Sequence, residues 1–487
     1  MTTTQIRAWK PGPLHLLLVF ILLQLLVALF SNGFALSFDE AMWHYIGRNW
    51  FRHDLIPYTG GVDNKSPLIF AIFGLSDKLF GVNYWFPRVL GILCQSIGIY
   101  YVYKIAKYSA GKEAGMLAML FYGLALLWHT TGGKYVSYTE TYSTMFVIIA
   151  FYRFITAQNR NGFFISGFLA GVAFGFRLTA AFAGLALFFG SLRKGKWDIL
   201  MFCAGVLSGI VLLILLALLV GIDCHNLYTY MLADNFGSGS ATDHDLAWRM
   251  HNLSAKFIYS GMILFYPIVL GYLFIKRKLD LFVLWLILAF IAINVVGIYD
   301  SVHLKEVLPP LALMSAFAVA HLVKVYRISF KAVFVIVCII FLPNLFEPIS
   351  NLKALVLGAK MKPPRYCVQP YIKPDEGDFK KLGQWVKAST GEQQKVLVAG
   401  FGAQVQVYSE RLSPSIYFNV TQTEIAKKRF FEDMKQNKPD MILVPLYFEY
   451  QEFVDPDIQL FISNMVAKDY YQDRCMYNFN VYRKVQK

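Results

Sequence analysis

Apolar runs long enough to cross a bilayer recur through this chain up to about residue 349 and then cease. They fall at about 14–34, 86–106, 114–131, 137–157, 162–192, 197–222, 256–275, 280–299, 304–324 and 332–349. A crossing helix needs about 20 apolar residues to traverse the hydrocarbon, and all but one of these runs are near that length. The exception, 162–192, is too long for one helix. Arg153 and Arg160 precede it and Arg193-Lys194-Gly195-Lys196 follow it. Basic residues at both ends predict a hairpin of two short helices that turns near Phe176-Arg177 and returns to the side it left. The expected architecture is a polytopic α-helical membrane domain over residues 1–349 with about eleven spans. Its N-terminus is cytoplasmic, and residues 350–487 form a soluble domain on the opposite side.

Composition supports this and excludes other classes. Of 487 residues, 56% are hydrophobic and only 16% charged, too few polar side chains to clothe a soluble protein of this size. The abundance of rings, 42 Phe and 29 Tyr, suits helix ends anchored at bilayer interfaces. A formal charge of +15 would suggest nucleic acid, but the basic residues lie in short clusters between apolar runs. Lys104, Lys107 and Lys112, then Arg153 and Arg160, then 193–196, then Lys276-Arg277-Lys278, then Lys324, Arg327 and Lys331 all fall on the cytoplasmic side. The charge is therefore an orientation signal, and no nucleic-acid partner is expected. Arg7 and Lys10 before the first run imitate a signal peptide, but the run is long and no small-x-small site closes it, so a retained first span is expected. Cys94, Cys203 and Cys338 lie within apolar runs as small hydrophobes, whereas Cys367 and Cys475 are a candidate disulfide pair in the soluble part.

The first external loop, residues 35–85, breaks the charge rule by placing Arg48, Arg52 and Lys65 outside. Charges retained against the topological bias point to a task there. Ser37 to Phe51 reads as an interfacial helix, with Phe38, Met42, Tyr45, Ile46 and Trp50 at helical spacing. A loop, Thr59-Gly60-Gly61-Val62-Asp63-Asn64-Lys65, follows. Ser66-Pro67 then resembles an N-cap with proline at the first helical position, opening a short helix to Phe80.

Several residues could carry chemistry. Asp39 and Glu40 stand at the outer membrane face, where carboxylates must be solvated, capped or paired. Ser37-x-x-Glu40 fits a capping box, which gives Glu40 a structural reading, and Asp39 in the first turn would favour the helix dipole. Arg177 lies inside an apolar stretch at the outer turn of the predicted hairpin. It either snorkels to the interface or meets an anion there. Arg88 follows Pro87 near a helix start and could pair with Asp77 or another acidic neighbour. Glu140 at the mouth of the fourth span could serve its helix start. His303 and Lys305 flank the start of a late span. In the 223–252 loop, Asp243-His244-Asp245 invites a metal, yet the spacing fits no closed zinc pattern, and a cap or a lid over the outer mouth reads better. No metal site or cofactor is assigned, with a divalent ion kept as a candidate only.

The order of these motifs carries a resemblance. Phe38-Asp39-Glu40-Ala41-x-x-x-Tyr45, Lys65-Ser66-Pro67-Leu68, Leu79-Phe80-Gly81 and Arg88 resemble the start of the GT-C glycosyltransferases. The branch is that of protein O-mannosyltransferases and lipid A aminoarabinose transferases. Thr139-Glu140 is similar to that branch's second acidic position, and the stretch from His303 to Leu308-Pro309-Pro310 to the opening of a late span. The loop reads Lys-Ser-Pro where many members have Lys-Pro-Pro, and the tyrosine often found beside the histidine is absent. The soluble part matches only in placement.

The resemblance implies a GT-C-like fold and a transferase of the EC 2.4 class. It implies transfer of a sugar from a polyprenyl phosphate to a protein, lipid or glycan acceptor on the extracytoplasmic face, with inversion. Asp39 would be the base, with Glu40 and Glu140 as further catalytic carboxylates. Lys65, Arg88 and Arg177 would face the donor phosphate, and His303 and Lys305 the acceptor side. One-step inversion needs a base for the acceptor proton and cations for the charge growing on the leaving phosphate. Membrane lipids surround the chain, and a bacterial inner membrane is the expected location. The rival reading is a transporter or flippase of lipid-linked sugars. It would place ionisable groups at the midplane and show repeats, and neither is visible.

In the soluble part, Lys380–Ala388 and Glu424–Gln436 read as helices, Lys395–Ala399 and Met441–Val444 as strands, and Tyr470–Val485 as a strand hairpin: a small α/β domain. Gly400-Phe401-Gly402 lacks the third glycine of a nucleotide fingerprint and is discounted.

Overall fold

The computed structural model describes residues 12–30, 34–128, 135–234, 245–259, 263, 266–276, 280–297, 299, 301–357, 373–419, 424–447, 450, 452 and 454–485. Its first half is a run of helices: α1 (Pro13–Leu29), α2 (Phe38–His53), α3 (Pro67–Phe80), α4 (Trp85–Ala110), α5 (Lys112–Ala125), α6 (Thr139–Ile155), α7 (Arg160–Phe176), α8 (Ala180–Ser191) and α9 (Lys196–Leu219). After a short π-helical stretch, Leu227–Ala233, come α10 (Leu246–Tyr259), α11 (Tyr266–Lys276), α12 (Leu281–Val296), α13 (Leu308–Val325), α14 (Phe330–Ile340) and α15 (Phe346–Leu357).

By length and composition α4, α9 and α13 can each cross a membrane. A fourth crossing is available if Phe330–Ile340 and Leu342–Leu357, bent by 58°, count as one. Pro343 sits in the 3₁₀ turn at that bend, where a ring without an N–H interrupts the helix. The run at 332–349 is thus a kinked pair reaching Leu357 rather than one straight span. The run at 256–275 likewise divides between α10 and α11, and the last approach to α13 is a 3₁₀ turn, Ser301–Glu306. The break between α7 and α8 does fall at Arg177-Leu178-Thr179.

α7 packs hardest against α9, and the sequence explains why. Gly167 and Gly171 face Gly205 and Gly209, both pairs at four-residue spacing. A Cβ on Gly167 would stand 2.0 Å from the Phe202 carbonyl oxygen, and one on Gly205 2.1 Å from that of Phe164. Apolar helices in lipid gain little by burying grease against grease, so small residues that let backbones touch hold them together.

Downstream of residue 373 strands and helices alternate: α16 (Glu376–Ser389), β1 (Val396–Val398), α17 (Ala403–Ser409), α18 (Glu424–Gln436), β2 (Met441–Pro445), α19 (Pro456–Asp469), β3 (Tyr470–Met476) and β4 (Phe479–Lys484). The sheet order is β1-β2-β4-β3, with β1 parallel to β2 and the other pairs antiparallel. Tyr477 and Asn478, both with positive φ (49° and 59°), turn β3 into β4, as a two-residue hairpin requires. Cys475 on β3 is disulfide-bonded. Cys367 lies outside the described residues. Gly400-Phe401-Gly402 is a packing device: a Cβ on Gly402 would meet Val398 Cγ1 at 2.2 Å, and Phe401 packs edge-on against Phe38 at 5.6 Å.

This last contact belongs to a shared core. Trp43, Tyr45 and Ile46 of α2 and Phe70 and Phe73 of α3 are buried in one cluster with Ala403, Val407, Tyr408, Tyr417 and Phe418. Backbone groups stitch the seam: Leu36 N–H donates to Tyr408 Oη (2.9 Å), Ser413 N–H to Tyr45 Oη (2.8 Å) and Val62 N–H to the Ile416 carbonyl (3.0 Å). The first loop and the C-terminal segment therefore set each other's position.

Candidate active site

The approach to α6 and its first turn, residues 135–141, is where the predicted site residues meet. Ser37 caps α2 as expected, its backbone N–H donating to Glu40 Oε2 at 2.8 Å. That capping role leaves Glu40 aimed inward, where it is fully buried. Arg88 Nη2 and Nε reach its two oxygens at 2.6 and 2.9 Å, and the Ser137 hydroxyl donates to Oε1. Arg88 Nη1 and Nη2 also donate to the carbonyls of Ala28 and Ala35 at 2.8 and 2.9 Å. The guanidinium is 0% exposed, and its groups are spent on fastening the end of α1 to α2 and α4. Arg88, expected at the donor phosphate, is engaged here by Glu40 and two backbone carbonyls. Its partner is Glu40, not Asp77.

Asp39, one residue earlier and only partly buried, points elsewhere, as neighbours on a helix about 100° apart must. It lies within electrostatic reach of Tyr138, whose hydroxyl is 3.0 Å from Ser37 Oγ. Two residues beyond Tyr138, Glu140 is ion-paired with Arg177 Nη1 at 2.7 Å. Arg177 Nε is engaged by Glu306, which also accepts from the Thr179 hydroxyl at 2.7 Å. His303 Nε2 lies 3.6 Å from Glu140. Burial, then the facing Arg177, hold this imidazole down to about 3 despite Glu140, so it is neutral at working pH. Lys305 Nζ donates to the Tyr135 carbonyl (2.5 Å) and Thr141 Oγ1 (3.1 Å) and lies in the field of both Glu140 and Glu40. Lys65 is close enough to influence His303, and its own Nζ rests on Asn64 Oδ1 at 2.5 Å.

The structure thus gathers Glu140, Arg177, His303 and Lys305 in one cluster, with Lys65 at its edge and Asp39 beside the same turn. Glu306, Thr179, Ser137 and Tyr138 were not anticipated. Glu306 could have been noticed as an acid interrupting the approach to an apolar helix. Arg48 and Arg52, the other cations of the first loop, converge on buried Asp77, Arg52 through a direct hydrogen bond and Arg48 at 3.8 Å. Arg48 also bonds Glu410 at 2.9 Å. In the 223–252 loop, Asp223 and Asp245 cap helical turns by accepting from Asn226 and Trp248 N–H groups, both at 2.7 Å. Asp243 and His244 lie outside the described residues.

An apolar cavity of about 420 Å³ is walled by Ser66, Pro67, Leu68, Leu178, Leu213, Leu227 and Met231 among others. Ser66 and Leu178 are chain neighbours of Lys65 and Arg177. Ser66 caps α3 by accepting the Leu68 N–H at 3.3 Å, which fixes the Lys65 end of the wall. A long greasy chain with an anionic head would find both requirements here.

Comparison with known proteins bears on the fold. Residues 64–222 match the family described as dolichyl-phosphate-mannose-protein mannosyltransferase. The fold is similar to that of ArnT from Cupriavidus metallidurans bound to undecaprenyl phosphate, at 13% identity and a TM-score of 0.68, covering 98% of this chain and 99% of that one. It is also similar to the Archaeoglobus fulgidus oligosaccharyltransferase in complex with zinc and sulfate, at 11% identity and 0.57, over 96% and 73% of the two chains. A third likeness is to the mycobacterial arabinofuranosyltransferase AftD, at 13% and 0.50, over 97% and 40%. No curated protein matches the chain in sequence. The fold is thus one shared with these glycosyltransferases, and residues 64–222 carry a sequence likeness to the mannosyltransferase family.

Proposed function

We propose that this chain transfers a sugar from a polyprenyl-phosphate donor to an acceptor on the extracytoplasmic face, with inversion, using Asp39 as the base. The observation that carries this reading is an apolar cavity walled in part by Ser66 and Leu178, the chain neighbours of Lys65 and Arg177. ArnT from Cupriavidus metallidurans, similar over nearly its whole length, is bound to undecaprenyl phosphate, which supports a lipid of the same class here. The chain crosses the membrane about eleven times, in a bacterial inner membrane. Residues 35–85 and the α/β domain from 350 to 487 lie together outside.

In the reaction, Asp39 accepts the proton of the acceptor hydroxyl as its oxygen bonds to the anomeric carbon. The bond from that carbon to the phosphate oxygen breaks on the opposite face, and the phosphate departs with the electron pair. Charge grows on the phosphate as that bond lengthens, so fixed cations stabilise the transition state more than the ground state. Lys65 and Arg177 supply them. Glu140 orients Arg177, Lys305 balances the two buried carboxylates, and neutral His303 faces the acceptor. Glu40 and Arg88 act through Asp39, holding its helix in place.

A photoreactive polyprenyl phosphate tests the donor site. Labelling is expected at the cavity wall near Leu213 and Leu227, and Arg177→Ala should weaken it. Labelling confined to lipid-facing surface, or unaffected by that substitution, would contradict the reading.

A further inference from the structure

Two carboxylates share one guanidinium. Glu140 and Glu306 both engage Arg177, so an incoming lipid phosphate must compete for a cation already neutralised twice over. Glu140 lies on α6 and also faces His303. Glu306 has a different environment, on the 3₁₀ turn ahead of the spanning helix. It lines a small cavity of about 20 Å³, whose polar lining is Ser143, Thr144, Thr179 and Glu306 and whose remaining wall, including Trp285 and Ala289, is apolar. Thr144 Oγ1 is buried, the residue being 4% exposed, and has no hydrogen-bond partner among the described residues. A space of about this size holds one water when at least two polar groups line it. Here Thr144 and Glu306 are such a pair.

We propose that Glu306 is a positioning residue that takes up one proton when a lipid phosphate enters the site, releasing Arg177 to that phosphate. This rests on the donor reading above. The step balances simply: a solvent proton adds to the Glu306 carboxylate, the resulting O–H is held within the polar cavity, and Arg177 exchanges one anion for another. The charged and titratable groups facing Glu306 are Arg177 from the α7–α8 turn, Glu140 from α6, and His303 and Lys305 from its own turn, with Lys65 beyond His303. α8 and α12 present apolar side chains to the cavity. Burial pushes the Glu306 carboxyl upward, with Arg177 opposing and Glu140 adding to the rise, the direction that favours uptake.

The test measures the affinity of the purified chain for a polyprenyl phosphate methyl diester, whose single charge is constant, between about pH 5 and 9. Binding linked to one proton makes affinity fall about tenfold per pH unit along an alkaline limb. Glu306→Gln should remove the limb and keep affinity at the wild-type acid plateau. Lys305→Arg, which retains its charge throughout, should preserve the limb and so excludes Lys305 as its source. That result and the wild-type limb remain informative if Glu306→Gln does not fold. A flat wild-type profile, a limb retained in Glu306→Gln, or a limb lost in Lys305→Arg would overturn the proposal. If folded wild type fails to bind the diester at any pH, the donor reading itself falls, whereas binding without a limb removes only the role of Glu306.

Discussion

Arg177 and Arg88 are both arginines in apolar surroundings, yet the residues around them assign different work. Arg177 sits at a helix break, 10% exposed, beside a cavity that could admit a lipid. Its replacement by alanine removes a charge-assisted contact worth about 1.5–3 kcal/mol, so the donor KM should rise roughly 10- to 100-fold in a donor titration. Arg88 is sealed. Glu40→Gln would leave its guanidinium buried and short of its counter-ion, and breaking such a pair costs about 3–5 kcal/mol. Thermal unfolding in detergent should show a clear loss for Glu40→Gln and little change for Asp39→Asn. The sequence distinguished these roles only partly. The capping box made a structural Glu40 legible from residues three apart. Arg88 was read through its motif position, because its partners Ala28, Ala35 and Glu40 lie 48 to 60 residues away. Glu306 was missed for the same reason, being 129 residues from Arg177.

Among the elements, α2 does most to place the site, and its packing face explains a pH dependence. His44 is fully buried there, with Nε2 accepting from Asn83 N–H at 3.4 Å and Nδ1 3.5 Å from Asp77. Burial is the main cause lowering it from 6.5 to about 4, with Asp77 opposing and Arg48 adding to the fall. Between those values the unfolded chain binds a proton that the folded chain does not. Stability is therefore full above about pH 6.5 and declines as pH falls towards 4, by roughly 3 kcal/mol at most. Chemical unfolding at several pH values should show this slope, and His44→Gln should flatten it. Helix starts such as Ser37 before α2 and Ser66-Pro67 before α3 were legible because caps and proline act locally. The division of 256–275 between two helices was not, since a uniformly apolar run carries no mark of where it breaks.

Across the whole molecule, the C-terminal segment roofs the first loop instead of standing apart from it. Arg48 bridges the two by bonding Glu410 at 2.9 Å, and Lys387 meets the same carboxylate at 2.6 Å. Behind this seam lies the shared aromatic core. Burial raises the Glu410 carboxyl, but Lys387 and Arg48 together hold it below the usual carboxylate range. Arg48→Ala and Glu410→Ala should therefore be non-additive, with a coupling of about 0.5–3 kcal/mol in a thermal-stability cycle. Nothing local in the sequence announces a contact between residues 362 positions apart, which is why the C-terminal segment could be divided into strands and helices but not docked.

The account stands on a lipid phosphate leaving a sugar while Asp39 takes the acceptor proton. Purified protein would be incubated with a panel of polyprenyl-phosphate sugars and candidate acceptors, and the released polyprenyl phosphate read by mass spectrometry. The account predicts release with at least one donor, reduced about a hundredfold or more in Asp39→Asn although donor binding persists. Equal release by wild type and Asp39→Asn would contradict it.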